Sequence, residues 1–79
     1  MKYLMFLNGY EDEFIGWNYQ AVVETDNDLD KEFWKLKTDK EIFEFCQNFY
    51  HKHLKQIVSA SPLEYKTKYL RILSFQKLK

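Results

Sequence analysis

The sequence predicts an α+β fold: a small antiparallel sheet of two or three strands drawn from residues 2–37, packed on one amphipathic helix over about 39–57. Three observations carry that expectation. Tyr3 to Leu7 is apolar at five consecutive positions, Trp17 to Glu24 alternates with a period of two, and apolar residues recur at helical spacing after Thr38.

The first strand, Tyr3-Leu4-Met5-Phe6-Leu7, is apolar on both alternating faces. A strand of that kind is covered on both sides, or lies inside a dimer. Asn8-Gly9 follows, a pair that readily supplies a tight turn, and Tyr10 to Gly16 continues as an acidic loop or the start of the next strand. In the second strand Trp17, Tyr19, Ala21 and Val23 share one face, opposite Asn18, Gln20, Val22 and Glu24. Thr25 to Asp30 is a polar turn. Glu32 to Lys37 is preferred as a third strand that completes a meander; a short helix with Leu29, Phe33 and Leu36 in line is the alternative.

Thr38-Asp39-Lys40-Glu41 is a capping box, in which the Thr38 hydroxyl accepts from the Glu41 N–H and the Glu41 carboxylate reaches back to the Thr38 N–H. From there Ile42, Phe45, Cys46, Phe49, Tyr50, His53 and Ile57 form one helical face, with Glu44, Gln47, Asn48, His51, Lys52 and Lys55 opposite. Ser61-Pro62-Leu63-Glu64 reads as a second capping box with Pro at the first helical position. The expectation is a C-terminal helix with Tyr65, Tyr69, Ile72 and Leu73 on one face. The alternative is a final strand, Tyr69 to Phe75, paired with the doubly apolar first strand.

At 79 residues the chain is read as one domain, 1–79, able to bury only about 60% of its unfolded surface. Hydrophobic residues make up 46%, with two glycines and one proline, so the chain has the apolar mass to fold. Aromatics are 19%, more than a core this small hides comfortably, which points to aromatic residues at a partner surface or a homodimer seam. The N-terminal apolar run is too short for a signal peptide or a membrane span, so no membrane role is expected. Cys46 is the only cysteine, so no internal disulfide forms, and a reducing compartment, the bacterial cytoplasm, is expected. Phe, Tyr, Met, Ile, Asn and Lys, with AT-rich codons, far outnumber Gly, Ala, Arg and Pro. That bias suggests an AT-rich bacterium, or its phage or plasmid.

Charge is balanced overall and uneven along the chain. Residues 1–30 carry one cation and seven anions, whereas residues 31–79 carry eleven cations and five anions. The acidic end gives the leading candidate surface: Glu11, Asp12 and Glu13 on one side of the second strand, Asp26, Asp28 and Asp30 on the other, with Trp17 and Tyr19 as aromatic anchors between them. Such a surface suits a basic protein partner, for instance a nucleic-acid-handling enzyme. The alternative surface is basic: Lys66, Lys68, Arg71, Lys77 and Lys79, interleaved with aromatics as in nucleic-acid binders. Eleven Lys against one Arg makes nucleic acid the weaker reading, because Arg makes the bidentate contacts.

Chemistry-bearing motifs are scarce. Asp26-Asn27-Asp28-Leu29-Asp30 has calcium-loop spacing, but Lys31 and Lys37 stand where the loop needs Gly and Glu. Cys46 and His53 are seven residues apart, about 10.5 Å along a helix, too far for a nucleophile and its base. His51 and His53 point to different helix faces. Neither metal nor cofactor is expected, and no enzymatic activity. The function expected is a small protein-binding module, a phage or mobile-element accessory protein that inhibits a host or anti-phage defence protein. The alternative is a small nucleic-acid-binding regulator, with homodimerisation as an option, acting through the basic C-terminal half.

Overall fold

The computed structural model describes residues 1–12, 16–61 and 67–78. In chain order the elements are β1 (Lys2–Tyr10), β2 (Gly16–Glu24), α1 (Leu29–Trp34), α2 (Asp39–Lys52), α3 (Leu54–Ala60) and β3 (Tyr69–Leu78). The strands form an antiparallel sheet of order β2-β1-β3, and the helices pack on one face of it. The architecture is α+β, as the apolar patterning implied, but several elements differ from expectation.

β1 is the central strand, paired along one edge with β2 and along the other with β3, and its apolar residues occupy both faces. Tyr3, Met5 and Leu7 are buried under the helices, and Leu4 and Phe6 point the other way. Asn8-Gly9 is not a turn: β1 runs on to Tyr10, with Gly9 opposite both Trp17 and Leu70. A Cβ at Gly9 would lie 2.5 Å from Thr67 Cγ2, so glycine is needed there for close approach.

The segment preferred as a third strand, Glu32 to Lys37, is not extended: Glu32, Phe33 and Trp34 end α1 and Lys35 to Lys37 leave it. Asp28 caps α1, its carboxylate accepting from the Lys31 N–H at 3.3 Å, and the Leu29 N–H donates to the Tyr3 hydroxyl at 3.1 Å. Leu29 is fully buried, and a buried leucine contributes about 1.5–3 kcal/mol. That anchorage favours the i, i+4, i+7 alignment of Leu29, Phe33 and Leu36 over an extended segment.

The third strand comes instead from the C-terminal segment, where a helix was expected. β3 pairs along the whole of β1, with a bulge opposite Phe6 and Leu7, and buries Leu70 and Ile72 against the helices. A helix in its place leaves one edge of β1 unpaired, and unpaired backbone groups in a buried strand are costly. Of the second capping box, Ser61 is the C-cap of α3 and Pro62-Leu63-Glu64 lie outside the described residues.

The helix expected over 39–57 is divided at His53, whose φ of −115° and ψ of 31° separate α2 from α3. The break brings the ring of His53 beside Thr25, with Nε2 2.9 Å from Thr25 Oγ1. Most of the expected apolar face packs inward: Cys46, Phe49, Tyr50, His53 and Ile57 are buried and Phe45 is half-buried, whereas Ile42, in the first turn of α2, is exposed rather than part of the core. At the start of α2 Thr38 Oγ1 accepts from the Glu41 N–H at 3.1 Å, and its hydroxyl, rather than its backbone N–H, donates to the Glu41 carboxylate at 3.0 Å.

Two side-chain amides close on the outer strands. Gln47 Nε2 donates to the Leu70 carbonyl at 2.8 Å while its Oε1 accepts from the Leu70 N–H at 2.9 Å. Gln56 does the same at Glu24, at 2.9 Å and 2.8 Å. Each glutamine takes the place that a further strand would occupy.

Candidate partner-binding surface

The two acidic groups lie beyond opposite ends of β2, about 26 Å apart for nine residues in strand geometry. Glu11 and Asp12 are exposed beyond Tyr10, and Glu13 is outside the described residues. The second group has largely local roles. Lys52 Nζ binds Asp26 at 2.8 Å and holds its carboxyl below the usual carboxylate range, and Asp28 caps α1. Asp30 is exposed on the first turn of α1.

Neither expected anchor lies between the two groups as an open side chain. Both belong to the β2 face that meets the helices, and both are half-buried. Trp17 Nε1 donates to Ser61 Oγ at 3.2 Å, which ties β2 to the end of α3. Tyr19 packs against the core, and burial together with nearby Tyr50 pushes its hydroxyl up to about 12.

The basic residues are divided between the ends of β3. Lys68 lies 5.3 Å from the Tyr69 ring centre and Arg71 4.7 Å from that of Tyr10, whereas Lys77 is at the far end. Lys66 and Lys79 are outside the described residues. Among the described residues, Lys68, Arg71 and Lys77 do not form one stripe.

A different aromatic is exposed. Trp34, the last residue of α1, keeps 86% of its surface in water. Beside it a cleft of about 440 Å³ is lined by Asp30, Phe33, Trp34, Leu36 and Phe75. Phe33 is anchored from behind by Phe45 at 4.9 Å and Phe75 at 5.3 Å between ring centres, so the cleft has a packed wall. Among the described residues that line it, Asp30 alone is charged. A strand over Glu32 to Lys37 gives no reason to single out Trp34, whose exposure follows from its place at the end of α1.

Burial shifts two titratable groups, one on the inner face of α2 and one at its C-cap. Cys46 lies behind a cleft of about 350 Å³ between α2 and β3, where burial pushes its thiol up against the opposing effects of the Ile72 N–H and Arg71. Burial pushes His53 down. Among the described residues no three His, Cys, Asp or Glu side chains gather as metal ligands, and no helix is long and apolar enough to cross a membrane. No family model matches the chain, and no curated protein and no solved structure matches it either.

Proposed function

We propose that this chain is a small protein-binding module that docks through Trp34 and the cleft beside it. The observation that carries the reading is the exposure of Trp34 next to an apolar cleft with one carboxylate at its rim. Tryptophan supplies more binding energy per residue than most side chains when a partner desolvates it, and buried apolar contacts ringed by polar groups are the usual anatomy of such sites. The occupant is a basic protein that inserts an apolar side chain into the cleft and sets a Lys or Arg against Asp30. Binding acts by covering the partner's surface. The AT-rich residue choice supports an accessory protein of a phage or mobile element that inhibits a host or defence protein in this way.

The test is affinity capture from a bacterial lysate with the wild-type chain and with Trp34→Ala and Asp30→Asn. Trp34 is almost wholly in water, so its removal leaves the fold intact. The reading expects a basic protein retained by the wild type, lost with Trp34→Ala and held more weakly, with less salt dependence, by Asp30→Asn. Equal retention by all three chains refutes it.

A further inference from the structure

We propose that the cleft between α2 and β3 binds a small zwitterion with an apolar body, the chemistry of a free aromatic amino acid. The proposal is independent of the Trp34 reading, since the two clefts share none of the described residues that line them. Its starting point is the first two turns of α2. The apolar side chains of that helix run out beyond the core, and Ile42 and Phe43 keep 38% and 43% of their surface in water. Both line the cleft of about 350 Å³, together with Leu70 of β3, and Cys46 closes it from behind. Aromatic rings continue the wall: Phe43 lies 5.6 Å from Tyr69, and Tyr69 lies 5.4 Å from Tyr10, between ring centres. Ligand pockets run from about 300 to 1,000 Å³, so a cleft of this size fits one small molecule.

The charges select the occupant. Among the described residues that line the cleft, Arg71 and Asp39 alone are charged. Neither forms an ion pair with the other or with any other described residue. Arg71 stacks over the Tyr10 ring at 4.7 Å, a contact that uses the flat side of the guanidinium and leaves the N–H groups at its edge. Its charge reaches the back of the cleft, where it opposes the upward push of burial on the Cys46 thiol. A fixed cation and a fixed anion beside an apolar wall suit a molecule that carries both charges and an apolar group. Its carboxylate takes two N–H groups of Arg71, its ammonium sits against Asp39, and its ring enters beside Phe43 and Leu70. An anion alone meets Asp39, and a cation alone meets Arg71. A neutral apolar molecule strips water from both charges and replaces it with nothing. Gln47, which also lines the cleft, does not compete for the ligand, because both ends of its amide are bonded to Leu70.

NMR titration of amide shifts tests it, at a pH of about 6.5 where α-amines are charged. The probes are L-phenylalanine, N-acetyl-L-phenylalanine and L-phenylalanine amide, which carry both charges, the carboxylate alone and the ammonium alone. A molecule of about a dozen heavy atoms in such a cleft binds with a Kd of about 1 mM. The expected result is saturable shifts at Ile42, Phe43, Leu70 and Arg71 with L-phenylalanine, and affinity weaker by about tenfold or more for each blocked derivative. Arg71→Gln and Asp39→Asn, both at exposed positions, weaken L-phenylalanine by a similar factor, whereas Trp34→Ala leaves it unchanged. The comparison of the three probes on the wild type needs no variant. No saturable shift up to about 20 mM L-phenylalanine, well above the expected Kd, overturns the proposal. So do equal affinities for the three probes, shifts confined to other parts of the chain, or wild-type binding by both Arg71→Gln and Asp39→Asn.

Discussion

Replacing Tyr50 by Phe deletes one oxygen from a buried junction. The Tyr50 hydroxyl donates to the Thr67 carbonyl at 3.2 Å and accepts from the Thr67 N–H at 3.2 Å, with Thr67 Oγ1 at 3.4 Å. Thr67 itself is buried, and its methyl group fills the space over Gly9. The phenyl ring retains the shape of the site, so Tyr50→Phe creates no large cavity. It leaves a buried N–H and a buried carbonyl without their partner. At about 1–3 kcal/mol for each unsatisfied group, softened by local relaxation, the loss is about 2–4 kcal/mol. A chain of this size has about 4–12 kcal/mol in all. With a urea slope of about 1 kcal/mol/M, the midpoint falls by about 2 M or more at unchanged slope. The assay is urea unfolding followed by far-UV circular dichroism. A shift below about 0.5 M means that Thr67 finds other partners at no cost, and refutes the junction.

Four further outcomes follow from the same geometry. Gly9→Ala places a methyl 2.5 Å from Thr67 Cγ2 and lowers the urea midpoint, and Thr67→Ser in the same chain recovers part of the loss; no recovery disproves the contact. His53 is held below the ordinary imidazole value of 6.5, chiefly by burial, so the unfolded chain binds its proton first. Stability is therefore complete above that value, falls as pH drops through it, and levels off below the folded value; a slope in the urea midpoint that persists in His53→Gln assigns the effect elsewhere. Thr38→Ala removes the cap of α2 and costs about 1 kcal/mol, read as a lower thermal midpoint, and an unchanged midpoint contradicts it. Cys46 resists alkylation in the native state and reacts once unfolded, because its thiol is buried and pushed up; rapid native labelling argues the reverse.

What the sequence revealed was whatever depends on local pattern. The alternation from Trp17 to Val23, the cap at Thr38 and the apolar face of α2 each depend on residues within a few positions of one another, and each recurs in the structure. The doubly apolar run of β1 implied cover on both faces, whereas among the described residues the helices cover only the face of Tyr3, Met5 and Leu7. Choices settled at long range were misread. Leu29 prefers helix because Tyr3, 26 residues away, receives its N–H. Residues 69–78 form a strand because β1 has a second edge to fill, although Tyr69, Ile72 and Leu73 also fit a helical face. Of the candidate surface, Asp30 was legible as an exposed carboxylate. Trp17 and Tyr19 were placed on a common face, but which face the helices cover is decided by tertiary packing.

The glutamines that α2 and α3 hold against the two outer strands close one position of each edge with a single functional group. A primary amide presents one donor and one acceptor, as a peptide unit does, so a chain arriving edge-on finds Leu70 and Glu24 already matched. Deamidation of either side chain, equivalent to Gln47→Glu or Gln56→Glu, turns the donor into a second acceptor facing a carbonyl. The carboxylate still accepts from the strand N–H but repels the carbonyl, so one hydrolysed amide halves the bonding that closes that position of the edge.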